Sequence, residues 1–87
     1  MYVLLDIKAL YEHLSPVDGV AYTAYGYEVS QDGRYYDLRG PHSGLLIASH
    51  GETCSAERMP DGSVDCSTLG ESFILSKEEF EIAATET

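Results

Sequence analysis

Four residues in the middle of the chain have the chemistry to hold a zinc ion or to form a nucleophile with its base: His42, His50, Cys54 and Cys66. Common zinc sites use Cys-x-x-Cys pairs or two histidines on one helix, and neither pattern occurs here. Carboxylates flank both cysteines in the sequence, and nearby negative charge raises a thiol pKa instead of activating the thiol. We therefore predict no catalytic residue, no metal site and no cofactor.

Other enzyme classes are also disfavoured. Acidic residues are numerous enough to supply a carboxylate pair for glycoside hydrolysis, but a chain of 87 residues has little room for a cleft that encloses a substrate. No glycine-rich phosphate loop of the P-loop or dinucleotide type is present. The sequence therefore predicts a protein that is not an enzyme.

The two cysteines also raise the question of a disulfide. Between them, RMPDGSVD matches a type I turn followed by glycine in the left-handed region, which predicts a hairpin with Met59 opposite Ser63. In this register Cys54 and Cys66 lie diagonally on one face of the hairpin, at the outer limit of disulfide geometry. A two-residue loop would place them on opposite faces. We expect two reduced thiols.

The chain is strongly acidic, with 15 Asp and Glu against 5 Lys and Arg and a net charge of −10. From Glu52 onward, nine acids accompany only Arg58 and Lys77. Bare nucleic acid and anionic membranes repel such a chain, so neither is an expected direct partner.

Length and apolar runs limit the location and the number of domains. No apolar run approaches the roughly 20 residues that span a bilayer. The opening MYVLLDIK lacks the basic region and the cleavage site of a signal peptide, so we expect a cytoplasmic protein. Without repeats or linkers, residues 1–87 are predicted to form a single compact domain.

A short helix is predicted near each end. The first follows from DIKALYEHLSP, where apolar residues between Ile7 and Leu14 form one stripe and Asp6 is a plausible N-cap. The second follows from the capping box of Ser76 and Glu79, which favours a helix starting at Lys77. Apolar and polar residues also alternate there, so a strand is the alternative for residues 77–84.

Between these helices, residues 17–75 alternate short runs of Val, Ile, Tyr and Thr with Asp-Gly and Gly-Pro turns, which is typical of antiparallel hairpins. We predict an α+β fold. It contains a small antiparallel sheet of four to five strands, open or barrel-like, with one short N-terminal helix and one short C-terminal helix.

Five of the seven tyrosines lie in YTAYGYEVSQDGRYYDLRG, residues 22–40. With Asp32-Gly33 as a two-residue loop, Val29 faces Tyr36 and Glu28 faces Asp37, a like-charge pair that Arg39 would have to relieve. The resulting faces place Tyr27 and Tyr36 in the core, with Tyr25 expected beside them, and Tyr35 on the surface. Tyr22 shares the exposed side of Tyr35 if the strand runs unbroken from Val20.

Six carboxylates have no evident role in a turn or at a helix end, the last of them being Glu86. We treat the other five as candidate partner-binding residues: Glu52, Glu57, Asp65, Glu71 and Glu81. Neighbouring positions on one face of a strand or helix hold side chains about 6 to 7 Å apart, close to the spacing of phosphates along DNA. Tyr22 and Tyr35 join them as candidate anchors because tyrosine is enriched in binding hot spots.

These features favour an inhibitor that occupies a basic, nucleic-acid-handling surface of a larger protein. In size and charge the chain resembles small inhibitors encoded by phages and mobile elements, such as anti-restriction and anti-CRISPR proteins; the resemblance involves no family motif. The alternative is a structural or accessory subunit that self-associates, or assembles into a larger complex, through a sheet edge or the side carrying Tyr22 and Tyr35. In that case the acidity serves solubility alone.

Overall fold

The computed structural model describes residues 1–86, with side chains as far as Ala84. The helices in this part of the chain are α1, Ile7–His13, and α2, Lys77–Ala83. The strands are β1 Tyr2–Leu5, β2 Val20–Tyr22, β3 Glu28–Asp32, β4 Tyr35–Arg39, β5 Leu46–Ser49, β6 Thr53–Arg58, β7 Val64–Thr68, β8 Glu71–Leu75 and β9 Ala84–Glu86. Neither helix is long and apolar enough to cross a membrane.

The strands form two antiparallel sheets. A five-stranded sheet has the order β8-β7-β6-β1-β9, and a four-stranded sheet has the order β2-β3-β4-β5. The predicted α+β class, with antiparallel pairing and a short helix near each end, is confirmed. A second sheet exists because β1 and β9 extend the β6–β8 meander, whereas β2 to β5 pair only with each other.

Helix α1 begins where the sequence predicts. The Asp6 carboxylate is the N-cap and accepts a hydrogen bond from the Ala9 amide at 2.9 Å. This bond satisfies one of the amides that a helix start leaves unpaired. The apolar stripe then faces the core through Ile7, Leu10 and Tyr11.

Helix α2 begins with the predicted capping box. The Ser76 hydroxyl accepts from the Glu79 amide, and the Glu79 carboxylate accepts from the Ser76 amide. The helical alternative is therefore correct for Lys77–Ala83. A strand forms only after it, in Ala84–Glu86, where the chain pairs with β1.

The β3–β4 hairpin differs from the predicted register by two residues. Its central loop residues are Gly33 and Arg34, because Asp32 pairs with Tyr35. Gly33 has φ +61°, and a type II′ turn requires a positive φ at this first central position.

This shift removes the predicted like-charge contact, since Glu28 faces Arg39 instead of Asp37. The predicted faces are nevertheless correct, because a shift of two residues keeps each side chain on its own face. Val29 pairs with Leu38 in the core.

The tyrosines follow those faces with one exception. Tyr27 and Tyr36 are partly buried against the core, as predicted, and Tyr22 and Tyr35 are exposed. The prediction for Tyr25 is wrong, because this side chain lies in the turn between β2 and β3 and is 47% exposed.

One hydrophobic cluster joins both sheets and both helices. The inner face of the five-stranded sheet contributes Phe73, Leu75 and Val3, among others, and the four-stranded sheet contributes Val29 and Leu38. An edge-to-face contact between Phe73 and Tyr27, with ring centroids 6.2 Å apart, crosses from one sheet to the other.

The edge strands β5 and β8 meet at one corner of the molecule. There, side chains form hydrogen bonds with backbone groups that point away from each sheet. The Thr68 hydroxyl donates to the Ile47 carbonyl at 3.0 Å, and the Tyr27 hydroxyl accepts from the Ile74 amide at 3.4 Å. Each bond connects one sheet with the other. These groups are therefore less available for pairing with a strand of another chain.

Candidate binding surface

The outer face of the five-stranded sheet carries three rows of side chains that run across the strands. The central row consists of Ser72, Ser67 and Ser55, which we call the serine row, and it ends at Tyr2. One flanking row holds Ile74, Asp65 and Glu57, and the other holds Thr53 and Leu4. Alternation along each strand puts these residues opposite the buried face.

Glu57 and Asp65, which we call the acid pair, lie directly opposite each other on β6 and β7. Directly paired side chains in antiparallel strands have Cβ atoms about 4.5–5.5 Å apart, and two like charges at this distance destabilise the sheet. Among the side chains that the structure describes, no cation forms an ion pair with either carboxylate. The next residue across from Asp65 is Ile74, which is apolar.

On the outer face of the four-stranded sheet, one cation lies close to two of the carboxylates. Arg39 lies opposite Glu28, and its guanidinium is 3.5 Å from the Asp37 carboxylate. Asp37 also accepts a hydrogen bond from the Ser49 hydroxyl at 3.1 Å. Glu28 and Asp37 therefore both have a nearby cation, whereas Asp32, at the end of β3, lies opposite Tyr35.

Tyr22 and Tyr35 also lie on this face, as predicted. Tyr22 pairs with Glu28 at one end of β3, and Tyr35 pairs with Asp32 at the other. They lie on β2 and β4, on either side of β3, and along the strand direction alone four residues, about 13 Å, separate them. They do not form one tyrosine cluster, and the packed sheets place them on the opposite side of the molecule from the acid pair.

The other predicted acids are not gathered around the acid pair. The Glu52 carboxylate accepts a hydrogen bond from the Ser49 amide at 2.9 Å, which fixes the turn before β6. Glu71 starts β8, at the end of the sheet away from Glu57. Glu81 is exposed on α2, where it lines a small cleft with Arg58 and Phe80. Of the five candidate acids, the structure brings together only Glu57 and Asp65.

The two thiols are free and buried on the inner face of the five-stranded sheet, in the predicted diagonal arrangement. A hydrogen bond from Cys66 lowers the pKa of Cys54, although burial and the charge of Glu52 act in the opposite direction. The same hydrogen bond, together with burial and the charge of Asp65, raises the pKa of Cys66. The carboxylates act on both thiols in the predicted direction, but the pKa of Cys54 is lowered overall because the neighbouring thiol has the larger effect.

His50 is tied to the start of α1. Its Nδ1 atom accepts from the Lys8 amide at 3.3 Å and lies 3.6 Å from the Asp6 carboxylate. His42 is exposed in the loop between β4 and β5. Residues 1–86 contain no group of three or more His, Cys, Asp or Glu residues that could hold a metal ion.

Glu79 has a larger role than the capping box indicates. It is only 5% exposed, and its second carboxylate oxygen accepts from the Ala24 amide at 2.7 Å. This bond connects α2 with the turn between β2 and β3. A sequence pattern cannot reveal it, because the two residues lie 55 positions apart.

The serine row and the exposed Tyr2 at its end were not predicted from the sequence. The available signal was the alternation of small polar and apolar residues in TCSAER and VDCST. It predicts one solvent-facing side for each strand, but the strand order is needed to align the serines.

Comparisons with protein-family models, with curated proteins and with solved structures found no match.

Proposed function

We propose that this chain is a non-enzymatic, acidic binding protein that occupies a basic, nucleic-acid-binding surface of a larger protein and thereby inhibits it. The observation that supports this proposal is the acid pair: two carboxylates opposite each other on an open sheet, without a cation in the described part of the chain. Because this arrangement costs stability in the free protein, a lysine or arginine of a partner would relieve the repulsion on binding.

The rest of the same face supports a contact with protein. Tyr2 is 68% exposed and lies two strands from Asp65, so an aromatic anchor stands beside the charged pair. The net charge of −10 would speed the approach of a basic partner. Tyr22 and Tyr35 lie on the other side of the molecule, so Tyr2 replaces them as the anchor in this proposal.

The test is affinity capture from a lysate of the source cells with three forms of the protein: wild type, E57Q/D65N and E28Q/D37N. Both double variants lose the same charge, each from one outer face, so the second is a matched control. We expect wild type and E28Q/D37N to retain a basic protein that elutes as salt rises from about 50 to 500 mM, and that nucleic acid displaces. E57Q/D65N should retain much less.

Equal capture by all three forms, or capture that salt does not weaken, would refute the proposal. An anti-defence role is supported if the captured protein is a restriction or CRISPR nuclease. Circular dichroism and thermal unfolding of each form establish that a lost interaction is not lost folding.

A self-associating subunit is the second candidate, and one cluster of exposed residues favours it. Leu69 is fully exposed next to Thr68, whose hydroxyl binds Ile47, and the exposed Leu45 and Leu46 precede Ile47. Leu69 and Leu46 are thus each one residue away from the Thr68–Ile47 hydrogen bond that joins the two sheets. Light scattering with size-exclusion chromatography separates the candidates: a stable oligomer that the L46K/L69K variant abolishes supports the subunit, whereas a monomer supports the inhibitor.

A further inference from the structure

Aspartate followed by glycine occurs three times in the chain, each time in or beside a turn: Asp18-Gly19, Asp32-Gly33 and Asp61-Gly62. In this dipeptide the glycine amide nitrogen can attack the Cγ atom of the aspartate side chain, because glycine has no Cβ atom to hinder the approach. The new N–Cγ bond closes a succinimide ring. The carboxyl hydroxyl group and the amide proton leave together as water.

A water molecule then opens the ring at one of its two carbonyl carbons. Cleavage of the N–Cγ bond restores aspartate. Cleavage of the bond between nitrogen and the main-chain carbonyl carbon leaves the backbone running through Cγ, which is an isoaspartyl linkage. The reaction releases one water and takes one up, so it needs no oxidant and no other reactant. Whether it occurs in the folded protein depends on how freely the two reacting groups can meet.

The fold holds both reacting groups of Asp61-Gly62. Asp61 Oδ1 accepts hydrogen bonds from the Ser63 hydroxyl at 2.6 Å and from the Ser63 amide at 2.9 Å. The Gly62 amide, which would be the nucleophile, donates to the Met59 carbonyl at 3.0 Å. The bonds from Ser63 also lower the pKa of the Asp61 carboxyl, and the ionised form does not lose water. The reaction at this site must therefore break several hydrogen bonds.

Asp32-Gly33 is held less firmly. Asp32 is the last residue of β3 and pairs with Tyr35, so its backbone belongs to the ladder. The Gly33 carbonyl accepts from the Gln31 side-chain amide at 3.1 Å. These contacts restrain the turn, although they do not involve the Asp32 carboxylate itself.

Asp18 and Gly19 are the two central residues of a tight turn that the Val17–Val20 bridge closes. Their φ angles are +53° and +82°, a combination that a type I′ turn requires and that is less favourable for aspartate than for glycine. Asp18 is exposed. In the part of the chain that the structure describes, no hydrogen bond engages the Asp18 carboxylate or the Gly19 amide. Both reacting groups are therefore available.

We propose that Asp18-Gly19 is a modification site, at which the folded protein forms isoaspartate ahead of Asp32-Gly33 and Asp61-Gly62. The product adds one carbon atom to the backbone of the turn. Since the Gly19 carbonyl accepts from the Gln31 amide at 3.2 Å, the longer turn loosens the attachment of β2 to β3. The inference is independent of the proposed function.

The experiment incubates the full chain at mildly acidic pH and physiological temperature, once folded and once in denaturant. The water carries a heavy oxygen isotope, which marks every passage through the succinimide. After digestion, the aspartyl and isoaspartyl forms of each peptide have equal mass, so chromatography separates them and fragmentation in the mass spectrometer assigns the linkage. Circular dichroism of the folded sample establishes that it stays folded.

In the folded protein we expect at least about tenfold more isoaspartate at position 18 than at position 61, because each hydrogen bond that must break slows the reaction a few-fold. Position 32 should fall between them. In denaturant the three sites should agree within about threefold, because an unfolded chain retains little of the structure that distinguishes them.

Two variants sharpen this comparison. Ser63→Ala removes the hydroxyl that binds Asp61 and should raise isoaspartate at position 61 a few-fold, with position 18 unchanged. Asp18→Gly suits the positive φ and should leave the product at the other two sites only.

Equal yields at positions 18 and 61 in the folded protein would overturn the inference. An order of reactivity that persists in denaturant would do the same, because neighbouring residues instead of the fold would then determine the rates. If Ser63→Ala does not fold, the comparison of folded and unfolded wild type still decides.

Discussion

The outer faces of the two sheets share one arrangement of charged residues but differ in whether the paired charges are opposite or alike. In each sheet an acidic residue of one hairpin strand has a charged residue directly opposite. On the four-stranded sheet Glu28 faces Arg39, which also reaches Asp37. On the five-stranded sheet Glu57 faces Asp65. The first pair contributes to folding and the second opposes it.

This difference indicates that a contribution to folding stability explains the paired charges on the four-stranded sheet but not those on the five-stranded sheet. A cross-strand pair of opposite charge contributes roughly 0.2–1 kcal/mol, and a pair of like charge costs a similar amount. Neither carboxylate of the acid pair has an ion-pair partner in the described part of the chain, so contacts within the fold do not explain the two charges. Binding of a cationic partner supplies an explanation.

The largest effect should come from the core that both faces share. Phe73→Ala removes a ring that is 1% exposed and contacts Tyr27 across the two sheets. We expect a loss of about 3–5 kcal/mol in the free energy of unfolding, measured with denaturant. Its neighbour Ile74, on the outer face, is the control, and Ile74→Ala should cost about 1 kcal/mol or less. Equal losses would contradict the assignment of inner and outer faces.

A smaller effect is expected when the four-stranded face loses its cation. Arg39→Gln leaves Glu28 and Asp37 without the guanidinium and so makes this face resemble the other one. The partly exposed pair should cost about 0.5–1 kcal/mol at low salt and less at high salt. Arg34→Gln, in the exposed β3–β4 turn, is the control and should change stability little. Salt-independent destabilisation would show that Arg39 acts through packing instead of charge.

The converse change gives the five-stranded face the cation that it lacks. Ile74→Arg places a guanidinium opposite Asp65, at a position that is already 38% exposed. We expect the isolated protein to gain about 0.5 kcal/mol and capture of the basic partner to weaken. Ile74→Gln tests the loss of the apolar side chain alone. If Ile74→Arg stabilises the protein but leaves capture unchanged, the acid pair is not part of the interface.

Sequence patterns correctly predicted the helix starts and the turn whose hydrogen bonds join residues close together in the chain. Both helix starts followed from capping residues, Asp6 and Ser76, because a cap bonds to amides only a few positions away. The turn at Met59 to Ser63 followed from Pro-Asp-Gly, and its backbone bond, from the Met59 amide to the Ser63 carbonyl, measures 2.9 Å.

The same patterns could not predict the register of the β3–β4 hairpin or the order of the strands. The register of the β3–β4 hairpin moved by two residues because both registers keep the same side chains inward, and only the turn geometry and the Glu28–Arg39 contact distinguish them. The strands β1 and β9 were not anticipated, because their pairing partners lie far along the sequence. The candidate acids were identified by charge alone, so the strand order had to show that only Glu57 and Asp65 meet.

The most direct measurement is a double-mutant cycle on the acid pair, using the free energy of unfolding of wild type, E57Q, D65N and E57Q/D65N at low salt. If the pair is uncompensated, each single variant should be more stable than wild type by a few tenths of a kcal/mol, and the double variant should gain less than the sum. High salt should remove the difference. Single variants that are less stable than wild type would contradict the proposal, because the two carboxylates would then already be compensated within the fold.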